Sequence, residues 1–192
     1  MSKIKEQVLL IRAKNGDTEA FGEIYDLYVD RIYRFIFFKI SSHEEAEDLT
    51  AEVFLKAWRY IQDEATRAVG NLNALLYRTA RNLVIDHYRT SNREISLEAE
   101  EVLDVLDTSS QPSLLDQVEV LSEIAQLEKY LTQLKDEYRE IIILRYIDEL
   151  DTAEVAEIIE KSKGATRVLL HRSLAQLKKL IEDDRSKTDS KT

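Results

Sequence analysis

Apolar residues recur every three or four positions along the first half of the chain, the spacing that places side chains on one face of an α-helix. The longest such face consists of Phe21, Ile24, Tyr28, Ile32, Phe35 and Ile36, and a second consists of Ala46, Leu49, Val53, Ala57 and Trp58. Asp17, Ser42 with Glu45, and Asn71 stand where a side chain can accept the free amides of a first helical turn. Together with an amphipathic N-terminus, these patterns predict a bundle of three or four helices that ends near Arg93.

The stretch from Leu150 to Leu180 has a different layout, with a short apolar helix, a tight turn at Gly164 and a longer basic helix. Asp151 and Glu154 form a capping box for the short helix. We expect Ser162 to cap the longer helix and a buried stripe to consist of Leu170, Leu174, Leu177 and Ile181. Lys161 to Lys179 contains six basic residues and no acid. A DNA-binding helix-turn-helix fits this layout, as does an ordinary helical hairpin with solvated charges.

Composition narrows the fold class. The 192 residues include four Gly, one Pro and no Cys, 44% are hydrophobic and 33% are charged. Few turn-forming residues and many charges favour an all-α fold of two small helical domains. Without Cys, disulfides and thiolate metal sites are excluded, and the apolar runs are too short to cross a bilayer. Because the N-terminus also lacks the apolar stretch of a signal peptide, we expect a soluble cytoplasmic protein.

The net charge of −10 is concentrated in the middle of the chain. Ten acids and no Lys or Arg lie between Glu94 and Glu128, and 108–112 (TSSQP) is the main cluster of turn-forming residues. We therefore predict a helical domain over 1–93, an acidic flexible linker over 94–112, a helix-turn-helix domain over 113–184 and a disordered tail over 185–192. A solubilising linker that touches nothing and an acidic strap that shields basic surfaces both fit this composition.

The predicted fourth helix, which begins after Asn71, is basic. Its charged residues are Arg78, Arg81, Arg89 and Arg93 against Asp86 alone, with Tyr77 and Tyr88 between them. Basic side chains interleaved with aromatic rings suit a DNA strand whose bases are partly unstacked. The alternative is that the tyrosines belong to the core and the arginines are merely exposed.

Several motifs in order resemble the extracytoplasmic-function group of bacterial sigma factors, within the sigma-70 family. They are EAEDL at 45–49, VFLKAW at 53–58, LYRTARN at 76–82, DHYR at 86–89, AEVAEI at 153–158, and Gly164 followed by LHR at 170–172. The likeness covers nearly the whole chain and keeps the order and spacing of both helical modules.

This resemblance implies a transcription-initiation subunit that has no catalytic chemistry or cofactor of its own. Core RNA polymerase would bind the helix carrying Glu45, Asp48, Glu52 and Lys56. Promoter DNA would be contacted at the minus-ten element by Arg78, Arg81, Asn82 and Arg89, and the loop 62–71 would help to open it. The minus-thirty-five element would be read by Lys163, Arg167, Val168, His171 and Arg172. The linker would thread the RNA-exit path, 138–146 would lie against the polymerase flap, and an anti-sigma factor is an expected partner.

Four positions depart from the family pattern. Ala51 stands where Gln is common, Leu75 where an aromatic residue is frequent, Glu160 where Gly is usual and Leu169 where a basic residue is frequent. A plain two-domain helix-turn-helix regulator is the main alternative, although the first half shows neither the strand alternation nor the Gly-rich loop of a ligand-binding or phosphoacceptor domain. A helical enzyme or metal carrier is disfavoured because the three His residues lie in separate elements without paired ligand spacing.

Overall fold

The computed structural model describes residues 3–40, 42–63, 70–97 and 127–189, and all of its regular elements are helical. The first module contains α1 (Lys3–Lys14), α2 (Thr18–Ile40), α3 (His43–Gln62) and α4 (Leu72–Leu97). The second module contains α5 (127–132), α6 (Asp136–Ile142), α7 (Thr152–Ile158) and α8 (Lys163–Asp189), with a π-helical turn at Ile143–Ile147 after α6. Among these described helices, none is long and apolar enough to span a membrane.

The predicted start signals of the first module are confirmed. Asp17 accepts a hydrogen bond from the Ala20 amide at 3.0 Å. Asn71 accepts one from the Ala74 amide at 3.1 Å, and Ser42 one from the Glu45 amide at 3.4 Å. Each bond satisfies an amide that has no partner within the first helical turn, so each helix begins where its capping side chain stands.

The core of the first module lies between α2, α3 and α4. Ile24, Ile32 and Phe35 of α2 are fully buried, and the ring of Phe35 meets the ring of Tyr77 edge-on at 5.3 Å. The alternative interpretation, in which the tyrosines belong to the core, is therefore right for Tyr77 but wrong for Tyr88, which is 42% exposed. Trp58 is only partly buried and packs against Phe21, with ring centroids 4.8 Å apart. The long apolar face of α2 thus supplies most of the surface on which the other helices pack.

In the second module the capping box at Asp151 is confirmed, and α7 is joined to α8 by a turn at 159–162. Glu160 makes this turn by adopting a positive φ of 56°. The prediction of a turn at Gly164 is wrong, because Gly164 already lies inside α8. Ser162 caps α8 as expected, by accepting a hydrogen bond from the Ala165 amide at 3.2 Å.

Of the predicted buried stripe of α8, only Leu170 is buried: Leu177 and Ile181 are partly buried, and Leu174 is 38% exposed. Thr166 and Ser173 are fully buried instead, and together with Leu170 they form the inward face. Their hydroxyls donate to the carbonyl oxygens of Ser162 and Leu169 within the same helix, at 2.9 and 2.8 Å. Because both hydroxyls are satisfied locally, polar residues can occupy the buried side of the helix.

The two modules pack against each other, with α7 on α4 and α6 on α2. Helix α4 continues beyond Arg93 to Leu97, and α8 continues to Asp189, into the predicted disordered tail. Neither extension contains Gly or Pro to stop the helix. The rest of the predicted acidic linker, 98–112, lies outside the described residues.

Candidate nucleic-acid and polymerase-binding surfaces

The predicted minus-thirty-five residues lie on the first turns of α8. Lys163, Arg167, Val168, His171 and Arg172 are all exposed. Thr166 and Leu170 are buried on the opposite side of the helix, and Leu170 belongs to the same hydrophobic core as Val155 and Ile158 of α7. This arrangement presents a rigid, cationic helix surface of the kind that enters a DNA major groove.

The exposed residues of α8 divide into two groups. Val168 and Arg172 line a cleft of ≈ 330 Å³ together with Glu137 and Tyr138 of α6. Lys163, Arg167 and His171 lie outside that lining and follow one another at intervals of four residues. At about 3.6 residues per turn these three side chains form one stripe along the helix. Leu169, where the family pattern has a basic residue, is partly buried and packs on the core.

The predicted minus-ten residues lie on one face of α4. At about 3.6 residues per turn, Arg78, Arg81, Asn82 and Arg89 fall within an arc of roughly 100°. Asn82 and Arg89 are exposed, and Arg89 pairs with Asp86 at 3.6 Å. The C-terminal half of this face is therefore accessible to a ligand. Of the loop 62–71, residues 64–69 lie outside the described residues.

Arg78 and Arg81 have partners in the second module. The guanidinium of Arg78 donates from Nη2 and Nε to the backbone oxygen of Glu157, at 2.6 and 3.1 Å. Arg81 Nε lies 3.0 Å from Glu140 Oε1. The N-terminal half of the α4 face thus contacts α6 and α7, and both arginines are partly buried.

The predicted polymerase-binding residues follow the exposed side of α3. Glu52 and Lys56 form an ion pair of 3.0 Å along the helix, and Glu45 lies 3.6 Å from His87 of α4. Asp48 is exposed between these pairs. Ala51 is also exposed, so replacing the more common Gln there leaves the helix fold unaffected.

Three charged residues between the modules are buried without having been predicted as site or core residues, namely Lys39, Glu140 and Asp148. Burial raises the pKa of the Asp148 carboxyl, while the Tyr77 hydroxyl and Arg34 act in the opposite direction. Burial, followed by the neighbouring Asp148 charge, raises the pKa of Tyr77. Each missed charge stands next to isoleucine or phenylalanine in the sequence, as in FFKI at 37–40 and REII at 139–142. A charged residue inside such an apolar run was therefore the sequence signal that could have predicted a buried charge.

Within 3–40, 42–63, 70–97 and 127–189, no group of three or more His, Cys, Asp or Glu side chains is placed to hold a metal ion.

Comparison with known proteins identifies the two modules. The family model for Sigma-70 region 2 matches residues 24–94, and that for Sigma-70, region 4 matches residues 124–177. The first range includes most of α4, and the second includes α7 and the first half of α8.

Relatives match over both modules. The ECF RNA polymerase sigma factor BldN of Streptomyces coelicolor is 36% identical over 92% of this chain, which spans 66% of the length of BldN. The ECF RNA polymerase sigma factor SigW of Bacillus subtilis is 32% identical over 90% of this chain and 94% of SigW. The sigma factor RpoE of Bartonella quintana, solved with the anti-sigma factor NepR, shares the fold at a TM-score of 0.66 and 24% identity, over 84% of this chain and 96% of RpoE. The chain belongs to the extracytoplasmic-function (ECF) RNA polymerase sigma factors of the sigma-70 family, which direct transcription initiation.

Proposed function

We propose that this sigma factor binds core RNA polymerase through α3, contacts the minus-ten element through α4 and reads the minus-thirty-five element through α8. The observation that carries the proposal is the exposed cationic surface of α8, held in a helix-turn-helix by a capped α7. We assign minus-ten and polymerase binding to 1–93, a linker role to 94–112, minus-thirty-five binding to 113–184 and no separate role to 185–192.

At the minus-thirty-five element, the stripe of Lys163, Arg167 and His171 is available to base edges and phosphates. Val168 and Arg172 lie beside the α6 cleft, at the edge of the same surface. A basic side chain that reads a base pair contributes about 1–3 kcal/mol of discrimination, whereas a phosphate contact positions the helix without sequence preference. Substitution of Arg167 and of Arg172 therefore distinguishes base reading from phosphate contact.

At the minus-ten element, Arg78, Arg81, Asn82 and Arg89 form the strand-binding face. Extruding a base from a duplex costs a few kcal/mol of stacking energy. Cations along one helix face offset part of this cost by pairing with the backbone of the opened strand. The single face of α4 supplies such a row.

For polymerase docking, α3 presents Glu45, Asp48, Glu52 and Lys56 toward solvent. Charged groups on an exposed surface select a partner of complementary charge and raise the rate of encounter. Asp48 stands near the middle of this row and is the residue we expect to contribute most. The segment 138–146 is our proposed contact with the polymerase flap.

We also propose that the chain acts as a binding subunit without catalysis of its own, and that it works in the cytoplasm, where it meets core polymerase and promoter DNA. RpoE of Bartonella quintana was solved with an anti-sigma factor. A partner of the same class would keep this chain from polymerase until a signal releases it.

The test combines a polymerase pull-down with run-off transcription over a promoter library. We expect Asp48→Arg to weaken core binding, and Asp30→Arg, an exposed reversal on α2, to leave it unchanged. With holoenzyme at limiting concentration, Arg172→Ala and Arg167→Ala should each reduce promoter-dependent transcripts, by about 1–3 kcal/mol of binding energy if a base is read. Lys178→Ala, farther along α8, is the matched control. Duplex binding by the free chain with no polymerase association would instead indicate a plain helix-turn-helix regulator.

A further inference from the structure

The surface of the second module that meets the first is mainly acidic, and its one cation in the described contacts, Arg139, donates to the backbone oxygens of Phe38 and Lys39 at 3.4 Å. This surface presents Asp136, Glu140, Asp148, Glu154 and Glu157. The opposing surface of the first module presents four cations and two amides, namely Arg34, Lys39, Arg78, Arg81, Asn71 and Asn73. The two surfaces are complementary in charge, so the second module meets α2 and α4 much as an anionic ligand would.

At the α6 end, one of the ion pairs, Lys39 with Glu140, is buried. Lys39 Nζ lies 3.0 Å from Asp136 and 3.3 Å from Glu140, and Glu140 also meets Arg81 at 3.0 Å. Lys39 and Glu140 are only 2% and 4% exposed. The Glu140 carboxylate thus neutralises two cations of the first module, the buried Lys39 and Arg81, whose side chain is 31% exposed.

The pairs at the α7 end occupy hydrogen-bond donors of α4 and its cap. Both donating nitrogens of Arg78 point at the Glu157 backbone oxygen. Asn71 donates to the Glu157 carboxylate at 2.8 Å, and Asn73 to Glu154 at 3.4 Å. While these contacts hold, Arg78 directs its guanidinium toward a protein carbonyl in the place of a phosphate oxygen.

We infer that the acidic face of the second module and a DNA strand compete for the same side chains, so that the free chain masks its own minus-ten surface. The inference rests on the proposed role of α4. Arg78 and Arg81 belong to the face that we assign to the minus-ten strand, and both are engaged by the second module. The α8 stripe is exposed in the same conformation. We call the conformation in which the two modules pack together the closed state. In the closed state α8 can bind duplex DNA, whereas the α4 face cannot bind the separated minus-ten strand.

The expected size of the effect follows from the number of cations withheld. Binding of a single strand varies with salt with a logarithmic slope of about −0.7 for each phosphate contact, so losing two contacts lowers affinity roughly tenfold near 0.15 M salt. Duplex binding through α8 should be nearly unaffected, because the described contacts between the modules do not involve Lys163, Arg167 or His171.

The experiment locks the closed state reversibly in the full chain. Gln7 and Glu157 are exposed and line a common cleft of ≈ 310 Å³ between the modules. Since the chain has no Cys, Gln7→Cys with Glu157→Cys allows a single bridge by a reducible bismaleimide. The Glu157 backbone oxygen that Arg78 contacts is retained. Each single-cysteine variant, treated with the same reagent, is the matched control.

The probes are fluorescein-labelled random-sequence DNA, single-stranded and duplex, followed by anisotropy. We expect the bridged protein to bind the single strand about tenfold more weakly, reduction to restore binding, and duplex affinity to stay within roughly twofold. Equal single-strand affinity of bridged and reduced protein overturns the masking, as does failure of the two cysteines to bridge. If the reduced protein binds no single strand even with core polymerase, the minus-ten assignment itself is wrong, and the masking fails with it.

Discussion

Substituting Lys39 tests whether the two modules are held together by their buried charges. Lys39 is 2% exposed, lies between Asp136 and Glu140, and stands 5.4 Å from the ring centroid of Phe35. Lys39→Met keeps most of the side-chain volume and removes the charge. Glu140 then retains a single cationic partner, Arg81.

The expected cost follows from what the substitution leaves behind. Removing one partner of a buried ion pair destabilises a protein by about 3–5 kcal/mol, because the remaining charge is left without compensation. Since Arg81 still neutralises Glu140, we place Lys39→Met at the lower end, about 3 kcal/mol. In the double variant Lys39→Met/Glu140→Leu no opposed buried charge remains, and apolar replacement of such pairs is often neutral. The pair should therefore show a coupling free energy of about 2 kcal/mol.

The assay is urea unfolding followed by two signals. Trp58 is the only tryptophan of the chain and lies in the first module, so its fluorescence reports that module, while far-UV circular dichroism reports all helices. We expect the two transitions to coincide in the parent and to separate in Lys39→Met. Lys129→Met is the matched control, because Lys129 pairs with Asp184 at 3.0 Å but is 57% exposed, and such surface pairs contribute about 0–1 kcal/mol. A Lys39→Met cost no larger than that of Lys129→Met would refute the reasoning.

Three further predictions concern backbone conformation and pH. Gly22→Ala should raise the free energy of unfolding by about 0.5–1 kcal/mol, because Gly22 lies inside α2 and nothing lies within 4 Å of an added Cβ. Gly16→Ala should lower the free energy of unfolding by about 1–2 kcal/mol, because Gly16 has a φ of +86°. Equal effects of the two substitutions in urea titrations would contradict this. Glu160→Gly should stabilise the protein by about 0.5–1 kcal/mol. The substitution relieves about 1–2 kcal/mol of backbone strain at a φ of 56°, and the conformational entropy that glycine loses on folding offsets part of this gain. A lower melting temperature of the variant would contradict the prediction. Because burial raises the pKa of Asp148, the folded state binds more protons than the unfolded state, so this group lowers stability as pH rises from 3.8 through its folded pKa. Asp148→Asn should therefore gain in stability relative to the parent across that interval, and denaturation midpoints whose difference does not vary with pH would exclude this effect.

Local structure was predictable where one residue decides the outcome. Asp17, Ser42, Asn71 and Asp151 each cap a helix within three residues of themselves, and the apolar periodicity of α2 coincides with its buried face. These interactions need only the neighbouring backbone, so they can be read from adjacent letters of the sequence.

Prediction failed where burial depended on a partner helix. Leu174 was expected inside and is exposed, while Ser173 is buried. A serine that bonds to its own backbone carries little penalty on a buried face, so hydropathy alone misplaced the face of α8 by one residue. In the turn, the positive φ belongs to Glu160, although glycine is the residue that most readily adopts it and the turn was predicted at Gly164.

The sequence by itself determined the all-α class, most helix starts and the two modules, because these depend on local hydrogen bonds, periodicity and motif order, and it predicted which side chains bind DNA. Only the tertiary structure decided which of those side chains are available. Arg78 and Arg81 are occupied by Glu157 and Glu140, residues 79 and 59 positions away along the chain. Such pairing depends on how one module docks on the other, and complementary charge far apart in sequence carries no local signal of contact.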